Sequence, residues 1–149
     1  MKLQSGAFSN GGKIPRKYGY KRENISPPLS ISGVPGGAKS LAIIMDDPDA
    51  VKPAGKIWVH WLIWNIDSNT TRIHEATVPP GATEGKTDFG ETAYGGPAPP
   101  DGPHTYIFKL YALDTTLNLK EGAPKKKLES AMEGHILDEA VLRGRYAPK

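Results

Sequence analysis

The chain is predicted to fold as a mainly β protein in which helix is the minor component. Its most apolar stretches are short runs dense in isoleucine, tryptophan and other strand formers. Between them, 17 glycines and 14 prolines in 149 residues mark many turns and long loops. A single segment near the C-terminus carries helical spacing.

Ser40–Met45 (Ser-Leu-Ala-Ile-Ile-Met) is an unbroken apolar run, as expected of a strand buried on both faces. It ends at Asp46-Asp47-Pro48, where the proline biases Asp47 to extended backbone and an open turn should follow. Ile57–Ile66 is the most strand-like segment and is read as a central strand. Strict alternation places Trp58, His60, Leu62, Trp64 and Ile66 on one face and Ile57, Val59, Trp61, Ile63 and Asn65 on the other. Both faces are apolar, so both should be covered. Thr105–Leu113 supplies a third core strand. His104 and Tyr106 stand two residues apart and project from the same face, continued by Phe108 and Leu110, while Lys109 marks partial exposure opposite.

Only one short strand, near Arg72–Thr77, is expected before the long Gly-, Pro- and Thr-rich loop Val78–Pro103. In that loop Gly95 and Gly96 permit positive φ and close approach of backbone amides, which makes either an anion-binding nest or a plain turn. Pro124–Glu133 combines a first-turn proline, apolar Leu128, Ala131 and Met132 at helical spacing, and Gly134 as a stop, hence a short amphipathic helix. Ala140–Tyr146 closes the chain as a final strand.

Composition limits what this scaffold can do. The length suits one domain, residues 1–149, with its own core. A content of 38% hydrophobic and 23% charged residues is that of a soluble globular protein. The formal charge of +3 is a mild basic excess, gathered at Lys13–Arg22 and at Lys125-Lys126-Lys127, and reads as solvated surface or as a field that steers anionic ligands. No nucleic-acid partner is expected. The absence of cysteine excludes disulfides, thiol nucleophiles and Cys-ligated zinc. Met1–Gly12 lacks the apolar core of a signal peptide and no run approaches the roughly 20 residues of a membrane span, so a cytoplasmic location is expected.

The chemistry gathers in two blocks, Asp46-Asp47-Pro48-Asp49 with His60, and Tyr94–Pro103 leading into His104-Thr105-Tyr106. Each places acids or imidazoles where a strand meets a Gly/Pro-rich loop, the usual seat of binding residues on a rigid scaffold. If those strands pair, Asp47, His60, His104 and Tyr106 converge, and three chemistries are open to them. Two His and a carboxylate are a familiar metal set, but the wide spacing of His60 and His104 is undiagnostic. Acid/base catalysis would want a nucleophile too, and no Gly-x-Ser-x-Gly elbow, P-loop or kinase signature is present. An oxyanion pocket uses all four residues: the imidazoles and the Tyr106 hydroxyl donate, and Asp47 orients a ring. No metal and no cofactor are expected.

These same residues carry a family resemblance. Asp46-Asp47-Pro48-Asp49-Ala50, Trp58-Val59-His60-Trp61 and Gly95-Gly96-Pro97-Ala98-Pro99-Pro100 through His104-Thr105-Tyr106 resemble the paired signatures of the phosphatidylethanolamine-binding protein family, most closely its bacterial and archaeal branch of Raf-kinase-inhibitor-like proteins. Asn24–Leu29 and Gly134–Ala140 extend the likeness over essentially the whole chain. The resemblance implies a large central antiparallel sheet with a smaller sheet on one face and a C-terminal helix on the other. It also implies a pocket for phosphate, phosphorylethanolamine or acetate, made by Asp47, His60, the Gly95-Gly96-Pro97 backbone, His104 and Tyr106. Two departures stand out: Thr105 replaces an arginine of many relatives on the face opposite the pocket, and Ala98 stands where bacterial relatives often carry cysteine. On this reading the protein is a non-enzymatic, phospho-ligand-binding regulator, with a serine-protease inhibitor as the alternative and an acid/base hydrolase third. Its partners would be a small phosphate- or carboxylate-bearing ligand and a protease or kinase, with peripheral contact to lipid head groups.

Overall fold

A computed structural model describes residues 1–148. In chain order its elements are β1 (Lys2–Gln4), β2 (Leu29–Ser32), β3 (Ser40–Asp47), α1 (Val51–Ala54), β4 (Trp58–Asp67), β5 (Arg72–Ile73), β6 (Thr83–Glu84), β7 (His104–Leu113), α2 (Lys125–Met132) and β8 (Ile136–Tyr146). The fold is mainly β, as the sequence predicts. A five-stranded antiparallel sheet has the order β6-β4-β3-β7-β8, and a three-stranded one the order β1-β2-β5.

Each long strand coincides with a run read from the sequence, and the differences lie at the ends. β3 continues past the apolar run to Asp47 because Asp46 still pairs with Val59 and Ile107, and Asp47 with Trp58. β8 begins at Ile136 rather than Ala140, since the ladder with β7 extends back to Leu113. The strands missed in the sequence, β1, β2 and β6, are two to four residues long, too short to show a period.

The small sheet covers one face of the large one. Leu3, Leu29, Ile31 and Ile73 from the small sheet meet Ile43, Met45, Trp61 and Phe108 from the large. Leu128 and Met132 of α2, with Leu117, close the opposite face over Ala42, Ile44, Leu62 and Trp64. All eight residues of β3 are buried because both its faces are covered. At the end of that strand the buried Asp46 carboxylate receives Lys125 at 2.9 Å and Lys109 at 3.3 Å, which ties the start of α2 to the sheet.

The alternation predicted for β4 needs correction. Register advances irregularly against β3 between the pairs Met45↔Trp61 and Asp46↔Val59, and again between Leu41↔Ile66 and Ile43↔Ile63. Each irregularity inserts one extra residue in β4, His60 in the first case and Asn65, with φ 56°, in the second. His60 and Trp61 consequently lie together on the small-sheet side, while Leu62 and Trp64 face α2. Among the described residues, no helix is long and apolar enough to cross a membrane.

Candidate functional site

Where β3 ends and β4 and β7 begin, Asp47, His60, His104 and Tyr106 border one cavity of about 200 Å³. Strand pairing brings them there from three separate parts of the chain. Its walls are apolar, built by Trp58, Phe89, Pro53, Ala54, Ala98 and Pro100.

Asp47 terminates β3 in an Asx turn: its Oδ1 accepts from the Asp49 amide at 2.9 Å as the chain enters the short 3-10 turn Pro48–Ala50. Asp49 in turn accepts from the Thr105 amide at 2.8 Å, which holds the start of β7 beside that turn. The other Asp47 oxygen lies 2.6 Å from His104 Nδ1. His104 is buried, and its Nε2 meets Asp101 Oδ1 at 2.7 Å. Burial by itself lowers the His104 pKa, but the hydrogen bonds and charges of Asp47 and Asp101 outweigh it and leave the pKa raised. Both ring nitrogens face carboxylate oxygens, an arrangement that favours the imidazolium, which can donate from each. The hydrogen bond from His104 in turn lowers the Asp101 pKa.

His60 behaves in the opposite way. Its Nδ1 donates to the Gly95 carbonyl at 2.7 Å, and its ring packs edge-on against Tyr106 and Phe89 with centroids 5.0 and 5.3 Å apart. Burial lowers its pKa despite the Gly95 carbonyl and the Asp47 charge. The neutral ring offers a lone pair at Nε2. Tyr106, fully buried, is the one buried side chain whose polar atom has no partner among the described residues. Burial first, then the Asp47 charge, raises its pKa, so the hydroxyl keeps its proton. The shared face of His104 and Tyr106 is as the sequence indicates, and Thr105 lies off the cavity.

The glycine-rich segment departs from expectation. The Gly95 amide donates to His60 O at 2.8 Å and the Gly96 amide to Asn24 Oδ1 at 2.7 Å, so neither is available as an anion-binding nest. These glycines are required instead for close packing: a Cβ on Gly95 would meet the Phe89 ring and one on Gly96 the Tyr18 carbonyl. Pro97 is likewise turned away, its carbonyl accepting from Tyr20. Ala98 and Pro100 border the cavity in their place. Asp101 is the polar residue that sequence reasoning missed; a turn three residues before His104 was the signal that could have found it. Trp58 and Phe89 were legible only as aromatic.

Comparison with known proteins gives a consistent result. Residues 4–147 match the family model for phosphatidylethanolamine-binding protein. A UPF0098 protein of Methanothermobacter thermautotrophicus is 50% identical over 151 residues, covering 98% of each chain. Among solved structures, a phosphatidylethanolamine-binding protein homologue from Chlamydia trachomatis superposes with a TM-score of 0.90 at 43% identity, covering 97% of this chain and 95% of that one. E. coli YbcL, described as a new member of the mammalian family, superposes with a TM-score of 0.92 at 30% identity, covering 99% and 98%.

Proposed function

Because the chain belongs to the phosphatidylethanolamine-binding protein family, we propose that its cavity receives a small acidic group, a phosphate monoester or a carboxylate, and binds it without transforming it. The observation that carries this reading is the Tyr106 hydroxyl, buried and unpartnered in the wall of a cavity it shares with His60 and Asp47. A ligand oxygen that accepts from this hydroxyl gains a hydrogen bond worth about 0.5–1.5 kcal/mol net.

The remaining groups select the protonation state of the ligand. His60 uses its Nδ1 proton on Gly95 and His104 uses both of its protons on carboxylates. A P–O–H or carboxylic O–H meets the His60 Nε2 lone pair directly, whereas a fully ionised group requires His60 to take up a proton or Asp101 to move aside. The walls of Trp58, Phe89 and Pro53 suit the carbon portion of such a ligand. Among the described residues no Ser, Thr, Cys or Lys borders the cavity, and the Asp47 carboxylate and the His104 ring are held by each other, an arrangement that supports binding rather than attack on the ligand. Occupancy would act outward through Ala98, Pro100 and Asp101, so ligand-dependent recognition of a kinase or protease is the regulatory form of this function.

Calorimetric titration with inorganic phosphate tests the assignment. His104→Ala removes the ring that offsets the Asp47 and Asp101 carboxylates beside the cavity and should weaken binding by about 1–3 kcal/mol, and Tyr106→Phe by about 1 kcal/mol. Equal phosphate affinity in the wild type and both variants would refute it.

A further inference from the structure

On the far side of the Pro97–Pro100 wall lies a second concavity of different chemistry. Two adjoining hollows, of about 430 and 330 Å³, share Arg16 and Tyr146. Lys13 and Arg145 line the first, Lys21 and Arg22 the second, and among the described residues no carboxylate lines either. Elsewhere Lys17, Lys56, Lys109 and Lys125 are ion-paired, but none of these five cations has an acidic partner among the described residues. In a chain whose formal charge is only +3, such a concentration produces a strong local field.

Arg16 is held ready in the middle of this groove. Its guanidinium lies 4.2 Å from the Tyr146 ring centroid and its Nη1 donates to the Ala147 carbonyl at 2.8 Å. The other N–H groups have no protein acceptor among the described residues. We infer that the groove docks an acidic stretch of a partner protein, an extended segment bearing several Asp or Glu side chains. Two hollows in a row match a chain that presents carboxylates at intervals, and Ile14, Pro97 and Pro99 supply apolar wall for its backbone and side-chain stems. A nucleic acid fits less well, because Tyr146, the one aromatic ring lining the groove, lies beneath Arg16 and is closed to base stacking. A bilayer fits less well too: none of the large exposed hydrophobic residues, such as Val51 or Leu137, lines the groove.

Fluorescence anisotropy with labelled octaglutamate on the whole chain is the test. Binding should weaken several-fold between about 50 and 200 mM salt. The combined charge reversal Lys21→Glu, Arg22→Glu and Arg145→Glu changes exposed side chains only, and should reduce octaglutamate affinity about tenfold or more while phosphate binding in the cavity is unaltered. Should the reversal disturb folding, the same positions changed to Gln should give an intermediate loss. Octaglutamate affinity unchanged in both variants, or equal binding of octalysine, would overturn the proposal. So would tighter binding of a short DNA duplex or of vesicles rich in anionic lipid than of octaglutamate.

Discussion

His104 sits between two carboxylates, 2.6 Å from Asp47 and 2.7 Å from Asp101, and its pKa is raised above the ordinary 6.5. A histidine that binds its proton more tightly when folded adds stability that is fully present below the unfolded pKa and is lost as pH rises through the folded one. His60 has the opposite sign: its pKa is lowered from 6.5 by burial, so stability is lost as pH falls through the range below that value. The two rings therefore limit stability from opposite sides. Asp101→Asn should lower the His104 pKa and flatten the alkaline limb of a Tm–pH profile, read by imidazole NMR titration and thermal melts from about pH 6 to 9. An unaltered His104 titration would show that Asp101 exerts no charge coupling. The same chemistry predicts ligand behaviour. Sulfate carries a fixed charge, so its affinity should fall as pH rises from about 5.5 to 8.5, because His60 must be protonated before Nε2 can donate. A flat profile would assign sulfate binding to neutral donors alone. Sequence showed His60 and His104 as candidates but not their opposite protonation, because each state is set by carbonyls and carboxylates distant in sequence or hidden in a turn.

At the scale of elements, β4 positions the site by being irregular. Its extra residue at His60 lets that ring and Trp61 lie on one side, which an uninterrupted strand cannot do. The second irregularity, at Asn65, is fixed by paired hydrogen bonds with the Leu117 backbone, 2.7 and 2.8 Å long. Neither was legible, because β4 is apolar on both faces and its alternation carries no mark of register. The Gly95-Gly96 turn then closes onto β4 through the Gly95 amide and the His60 carbonyl. Gly96→Ala forces a Cβ against the Tyr18 carbonyl and should cost about 1–3 kcal/mol in chemical denaturation. An Ala variant as stable as the wild type would show that this approach is not tight. On the other face, replacing both Lys109 and Lys125 with Met leaves the buried Asp46 carboxylate uncompensated. A loss of about 3–5 kcal/mol is expected, with each single variant well below that.

Across the whole molecule, the five-stranded sheet is covered by the smaller sheet on one face and by α2 on the other, and the long segment 78–103 is laid along its β4 edge. Glu84 pairs with Ile63, Asp88 accepts from the Val59 amide at 2.7 Å, and Gly95 bonds to His60. Far-UV circular dichroism and tryptophan fluorescence should therefore report one coincident thermal transition. Added chelator should leave both that transition and phosphate affinity unchanged, since both His104 nitrogens already face carboxylates and among the described residues no three His, Asp or Glu side chains are arranged so as to hold a metal ion together. Chelator-dependent loss would return the metal reading to consideration. What the sequence by itself determined was local in origin: the β class, three core strands, the short helix, and the common face of His104 and Tyr106. Each of those depends on a period of two or on helical spacing within one segment, and such periods survive without knowledge of the partner strand. The tertiary structure alone decided where His60 points, which amides the glycines give up, and that Asp101 completes the cluster around His104. Those outcomes depend on strand register and on hydrogen bonds between residues as far apart as Asp47 and His104, where the energy of pairing belongs to both segments and is written in neither.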